Sequence, residues 1–229
     1  MLVLVAGFVA LGVWQVQRRA WKHALIAAVD ARVHAAPVAA PGPDKWAAIT
    51  ARKDAYRRVA LTGRFDHDKA VRVRAATDLG SGYWLMTPLD TGRFIVLVNR
   101  GFVPPDGQMP GRTAVAQPPG VVRVTGLLRV TEPKGGFLRR NDPAAARWYS
   151  RDVAAIAQAQ GLSNVAPYFV DAETSPEAKG YPVAGLTVVR FPDNHLGYAL
   201  TWFALAGLSG WGAWRVAREA RGASVGEAA

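Results

Sequence analysis

Of the four histidines in this 229-residue chain, His195 has the surroundings best suited to chemistry. It stands in Phe191–Val216, FPDNHLGYALTWFALAGLSGWGAWRV, behind the polar Pro192-Asp193-Asn194 and ahead of a run whose only charge is Arg215. A neutral imidazole at such a threshold can be an axial ligand for a haem iron. It can equally cap the helix start or hydrogen-bond Asn194, and a lone histidine does not decide between these. At about 100° per residue, His195, Tyr198, Ala199, Trp202, Ala206, Ser209, Gly210 and Ala213 share one face. That face is small, hydroxylated or aromatic, with Ala206 and Gly210 as a small-xxx-small pair suited to helix packing or ligand lining. Leu196, Leu200, Phe203, Trp211 and Trp214 form an opposite, lipid-like face. His195 is therefore expected to point toward a partner, with Tyr198 and Trp202 below it.

A second set lies near the N-terminus. Gly7, Ala10, Leu11, Trp14 and Arg18 share a stripe of the apolar segment that starts at Met1. If this segment pairs antiparallel with the later one, its far end lies at the depth of His195. Trp14 can then wall a ligand pocket, and Arg18 or Arg19 can pair with a ligand carboxylate by charge-assisted hydrogen bonds. The plainer reading is an interfacial tryptophan with snorkelling arginines. His23 is near enough to be a second candidate ligand, and His34 reads as surface. His67, between Asp66 and Asp68, reads as a solvated turn residue. In Asn99-Arg100-Gly101-Phe102, Gly101 is expected to supply an unusual backbone angle and Arg100 a salt bridge.

These residues need elements to hold them. Residues 195–216 are long enough, at about 1.5 Å per residue, to match a bilayer core of roughly 30 Å. Residues 1–17 are a second, slightly short apolar segment, read as a retained span. A cleaved signal peptide fits less well, because no basic n-region precedes it and Trp-Gln-Val-Gln-Arg-Arg is a poor cleavage context. Arg215, Arg218 and Arg221 place the tail, residues 217–229, in the cytoplasm by the positive-inside rule. Arg18, Arg19 and Lys22 argue the other way, but long loops translocate largely regardless of charge. The domain between is expected outside, with both termini inside.

Composition narrows the function. A net charge of +11 calls for an anionic partner, and the basic residues are scattered without a zinc-finger or RNP pattern, so no nucleic acid is expected. Membrane lipids or a carboxylate-bearing ligand fit better. The chain has no cysteine, which excludes disulfides, thiolate metal sites, c-type haem attachment and a CxxxC copper relay. No GxSxG, HExxH, P-loop or dinucleotide fingerprint is present, so no enzyme is expected.

Residues 18–45 read as a juxtamembrane helix to Val33 and a Pro/Ala/Gly linker, Ala35–Asp44. Residues 46–194 read as an external α+β domain dominated by antiparallel strands with one or two short helices. Ala47–Arg58 is a candidate helix. Val59–Leu61, Val71–Val73, Tyr83–Leu89, Phe94–Asn99, Val121–Val130 (interrupted at Gly126), Tyr168–Val170 and Leu186–Arg190 are candidate strands. Asp90-Thr91-Gly92-Arg93 predicts a hairpin, Pro104–Pro119 an exposed loop, and Asp152–Gln160 a helix stopped by Gly161.

Several of these stretches together resemble the Surfeit locus protein one family. They are Leu11-Gly12-Val13-Trp14-Gln15 with Arg18, Trp21 and Lys22; Tyr56-Arg57-Arg58-Val59; Gly63-Arg64-Phe65-Asp66-His67; and Asn99-Arg100-Gly101-Phe102-Val103-Pro104. Arg147-Trp148-Tyr149 with Asp152, the Pro167–Asp171 strand and Asn194-His195-Leu196-Gly197-Tyr198-Ala199-Leu200-Thr201-Trp202-Phe203 complete the match. It departs at Asp193, where the family usually has asparagine, and in the late start of the first helix. The resemblance implies two membrane helices flanking an external domain, here of a bacterial inner-membrane protein with its central domain in the periplasm. It implies an assembly factor for haem-copper cytochrome c oxidase. Such a factor binds haem a and aids its insertion into, or stabilisation in, subunit I, with haem a synthase as a further candidate partner. His195 would be the iron ligand, with Tyr198, Trp202, Trp14 and Arg18 around it. The alternative is a protein-only scaffold that steadies subunit I without binding haem. A second rival is a membrane-anchored enzyme acting on haem or lipid.

Overall fold

The computed structural model describes residues 2–106, 115–136, 138–174, 180–187 and 193–226, with the side chains of 220–226 left aside. The chain divides into two compact units, residues 1–28 with 189–229, and residues 29–188.

In the second unit the strands follow the alternation of the sequence. They are β1 (Val38–Ala39), β2 (Arg58–Phe65), β3 (Val71–Thr77), β4 (Gly80–Asp90), β5 (Ile95–Val103), β6 (Val121–Val130) and β7 (Val165–Ala172). They lie in the order β1-β2-β6-β7-β5-β4-β3, and β4 also pairs with β2 through Arg64–Asp90 and Phe65–Leu89. That pairing closes β2, β6, β7, β5 and β4 into a small five-stranded barrel. The β4–β5 hairpin forms as expected. Gly92 takes the left-handed angle its turn requires (φ 78°), and its N–H donates to Asp90 Oδ1 at 2.8 Å. The sheet is not wholly antiparallel. β5 and β7 pair parallel, because the chain between them passes through β6 and α3 (Val153–Ala159) before returning.

Strand alternation sorts the apolar residues into two cores. Val96, Val98, Tyr168 and Val170 point into the barrel with Val59, Leu61, Leu89, Val124 and Leu128. Leu97 and Phe169, one residue out of step, pack outside with Val71, Val73, Met86, Trp148 and the α3 residues Val153 and Ile156. Asp152 caps α3 by accepting from Ala155 N, and Gly161 follows the helix with φ 61°.

Some expectations need correction. Ala47–Arg58 is not one helix. A 3-10 turn over Pro43–Ala48 gives way to extended Ile49 and Thr50 and then to the single turn α2 (Ala51–Asp54). Tyr56 at φ 63° ends it, and Arg58 already belongs to β2. Gly126 does not interrupt β6. It is where β6 meets β7 most closely, and a Cβ there would collide with the Asp171 carbonyl. Leu186 and Thr187 form no strand, and 188–190 lie outside the described residues, as does 107–114 of the proline-rich loop.

In the first unit, α1 (Leu2–His34) and α4 (His195–Gly226) pack together. The boundary expected at residue 17 does not interrupt α1. Two membrane spans, 1–17 and 195–216, were expected; among the described residues no helix is long and apolar enough to cross a membrane. The reason is composition. The apolar run of α1 ends in Gln15, Gln17, Arg18 and Arg19, and α4 spaces its leucines among glycine, serine, threonine and tryptophan.

Candidate functional site

The packed stripe of α1 carries Val5, Phe8, Gly12, Gln15, Arg19 and Lys22, all less exposed than their neighbours and stepping by three and four residues. On α4 the matching stripe is His195, Ala199, Trp202, Ala206 and Ser209. This is the spacing of a two-helix seam. Small residues set its tightness. Ala199 and Ala206 are buried, and a Cβ on Gly12 would run into the Phe203 ring. Phe8 and Trp202 stack across the seam with ring centroids 5.8 Å apart.

A chain of polar contacts lies at the head of this seam. The His195 Nδ1–H donates to Gln15 Oε1 at 2.7 Å, and Gln15 is itself buried. This tautomer leaves the lone pair on Nε2 of a half-buried ring. The His195 backbone N–H donates to Asp193 Oδ1 at 3.2 Å. The other oxygen, Oδ2, accepts from His23 Nε2 at 2.6 Å, with Arg19 Nε at 3.5 Å. The hydrogen bond from His23, with the His195 N–H and the charges of His23 and Arg19, holds the Asp193 carboxyl below its ordinary value against the opposing effect of burial. Arg19 Nε is near enough to Asp193 for an ion pair but too poorly aligned to donate, so it is buried without a hydrogen bond.

The predicted residues separate. His195 and Trp202 share the packed face, two helical turns apart. Tyr198 does not join them and is 57% exposed. Trp14 lies on the exposed side of α1, and the Arg18 guanidinium stacks over Trp21 at 4.2 Å. The stripe Gly7, Ala10, Leu11, Trp14 and Arg18 is therefore displaced by about one residue from the stripe that packs. Gln15, Phe8 and Asp193 were missed as members of the site. For Gln15 and Phe8 the signal was the repeat of three and four from Val5 to Lys22, hidden because the first turns of α1 are apolar all round; for Asp193 it was its place two residues before His195.

A second polar centre sits within the barrel unit. Asp171, 3% exposed, accepts from Asn99 Nδ2 (2.8 Å), Arg129 (2.8 Å), Arg151 (3.1 Å) and Thr187 Oγ1 (3.0 Å). Arg151 also forks onto Glu132, and these carboxylates raise its guanidinium despite the larger single effect of burial. The charges are mutually satisfied, which marks this as a structural hub. Among the described residues Arg100 makes no salt bridge, where one was expected. It donates to the Ala116 carbonyl at 2.6 Å, meets His67 Nδ1 at 3.5 Å and stacks on Phe65, while burial pushes its guanidinium down. His67 is accordingly half-buried and bonded to the Pro118 carbonyl rather than solvated. Gly101, at φ 126° and against the Val183 carbonyl, has the backbone angle expected of it.

One unit is thus a two-helix seam headed by an imidazole, and the other a closed barrel with a saturated polar hub. Residues 2–207 match the SURF1 family, and the chain belongs to it. That family is known as cytochrome c oxidase assembly factors, membrane-associated and non-enzymatic. The chain is similar to "Surfeit locus protein 1" of Mus musculus, 36% identical over 223 residues, covering 90% of this chain and 70% of that protein. It is likewise 36% identical to the Homo sapiens "Surfeit locus protein 1" over 225 residues (90% and 72%). The "SURF1-like protein" of Drosophila melanogaster is 32% identical over 226 residues (90% and 72%).

Proposed function

We propose that this chain binds haem a on the helix pair, through His195, and holds it for cytochrome c oxidase subunit I. The observation that carries the reading is the Gln15–His195 hydrogen bond, since it selects the tautomer with Nε2 as the lone-pair nitrogen and orients the ring. The donor set fits an amphiphilic iron porphyrin. Neutral imidazole suits the iron, the Phe8–Trp202 stack gives an aromatic surface along the seam, and Arg19, ion-paired with Asp193 at 3.5 Å, adds a positive charge at its head. Bound haem would supply the iron centre as cargo; the chain's residues would only hold and orient it. A single protein ligand keeps the cargo transferable.

The helix pair is the part we assign to the bilayer. Leu4, Val9, Leu11, Val13, Leu200 and Leu208 all face outward, while Gln15 is buried in the seam and His195 is half-buried there. Inserted as a pair, the helices shield Gln15 and part of His195 from lipid. The arginines of the tail orient the barrel unit to the outer side of a bacterial inner membrane, with both termini in the cytoplasm. Haem a synthase, as the source of the cargo, is the second partner this reading requires.

The test is the visible spectrum of the protein purified from cells that make haem a. A Soret band that disappears in His195→Ala, and shifts or weakens in Gln15→Leu, supports haem holding. A colourless protein that still co-purifies with subunit I would establish the scaffold reading instead.

A further inference from the structure

A groove of about 310 Å³ opens on the outer face of the barrel unit, lined by Arg74, Ser81, Tyr83, Arg139 and Tyr149 with small residues between them. Its walls are built by the strand register. Arg74 and Tyr83 are direct cross-strand partners on β3 and β4, and the guanidinium lies 5.9 Å from the ring centroid. Arg74 N–H donates to the Trp148 carbonyl at 2.9 Å, which brings Tyr149 alongside, and Arg139 stacks on that ring at 5.4 Å. Ala75, Ala76 and Gly82 are the small residues between these walls, and a Cβ on Gly82 would collide with Phe102, so glycine lets the strands pack there.

The chemistry of the lining is one-sided. Two guanidinium groups and three hydroxyls line the groove, and among the described residues no carboxylate does. Two acids near it in sequence are already engaged: Asp106 by Arg72 at 2.7 Å and Asp142 by Arg147 at 2.6 Å. Arg74 and Arg139 form no ion pair among the described residues. Stacking on a tyrosine limits each guanidinium's freedom while leaving its N–H edge available, so little ordering remains to be done when an acceptor arrives.

We propose that this groove binds a phosphate group. A tetrahedral oxyanion offers more acceptor oxygens than a carboxylate, enough to take both arginine forks and the tyrosine hydroxyls together. The site is distinct from the haem reading and does not depend on it. The phosphate can belong to a lipid headgroup or be free inorganic phosphate, and both present the same group to the same donors.

The full-length chain in neutral detergent is titrated calorimetrically at low salt with inorganic phosphate, with a short-chain phosphatidate and with the matching phosphatidylcholine. Saturable binding of phosphate or phosphatidate is expected, weakened by added salt and by about tenfold or more in Arg74→Gln/Arg139→Gln, as loss of charge-assisted hydrogen bonds implies. Both arginines are exposed, so these variants fold, and an unchanged circular dichroism spectrum checks it. Arg74→Lys/Arg139→Lys, which keeps charge but not the fork, should bind in between. Phosphatidate tighter than phosphate identifies a lipid source; equal affinity identifies the free ion. Unchanged affinity in the glutamine variant, no binding by the wild type, or equal uptake of phosphatidylcholine and phosphatidate would overturn the proposal.

Discussion

At the scale of single residues, Asp193 has the most to explain. It accepts the N–H at the head of α4 and, through its other oxygen, ties that head to His23 and Arg19 of α1. Its carboxyl is held below the ordinary range, so its contribution to stability is fully present above the ordinary carboxylate value and is lost as pH falls through the depressed one. The thermal midpoint of the helix pair should therefore drop on acidification. In Asp193→Asn it should be lower at neutral pH and flatter across the acid window. The comparison is read as the difference between the two proteins by circular dichroism, because other carboxylates titrate there as well. Sequence pattern was enough to put His195 on a packing face, since the apolar and small residues of Leu196–Val216 segregate cleanly. Its partner was not legible. In a helix apolar on every side near its start, the stripe through Trp14 and the stripe through Gln15 look equally good, and only the second helix distinguishes them. Arg100 shows a similar limit. A buried arginine satisfied by a carbonyl, an imidazole and a ring leaves no complementary charge in the sequence to announce it.

Among the elements, β-strands were read better than helices, for a physical reason. Alternation with a period of two survives in a short window, so β2 through β5 and β7 fell close to their expected places. The Ala47–Arg58 stretch has helix-favouring composition, yet extended Thr50 and left-handed Tyr56 cut it into two short turns. Gly126 was misread because glycine in a strand signals either a break or a close approach. Here Asp171 explains the choice. Its side chain gathers two arginines and an asparagine on one side of β7, while its carbonyl presses against Gly126 on β6. Gly126→Ala should destabilise the barrel by about 1–3 kcal/mol, at the upper end because a backbone carbonyl cannot rotate aside. The urea midpoint followed by tryptophan fluorescence measures it, and an unchanged midpoint would show that the strands can part without cost.

For the whole molecule, the division of labour follows from where polarity was placed. The barrel unit carries its own apolar interior, a saturated charge hub and a basic groove. The helix pair carries many outward apolar side chains, with Gln15 and His195 drawn toward the seam. The parallel β5–β7 pairing could not be foreseen from local pattern, because it depends on a return path through β6 and α3. Barrel closure likewise depends on residues far apart in sequence. That closure is uneven around the ring. Most neighbouring strands share long ladders, but β4 and β2 pair at Arg64–Asp90 and Phe65–Leu89, followed by one bond from the Asp66 N–H to the Pro88 carbonyl. A cylinder fastened at one point by so short a ladder has a hinge line there. Deuterium should enter the amides of that fastening well before those of Val59 or Val98, whose ladders run along the length of β2 and β5, and any breathing of the wall should begin with β4 swinging away from β2.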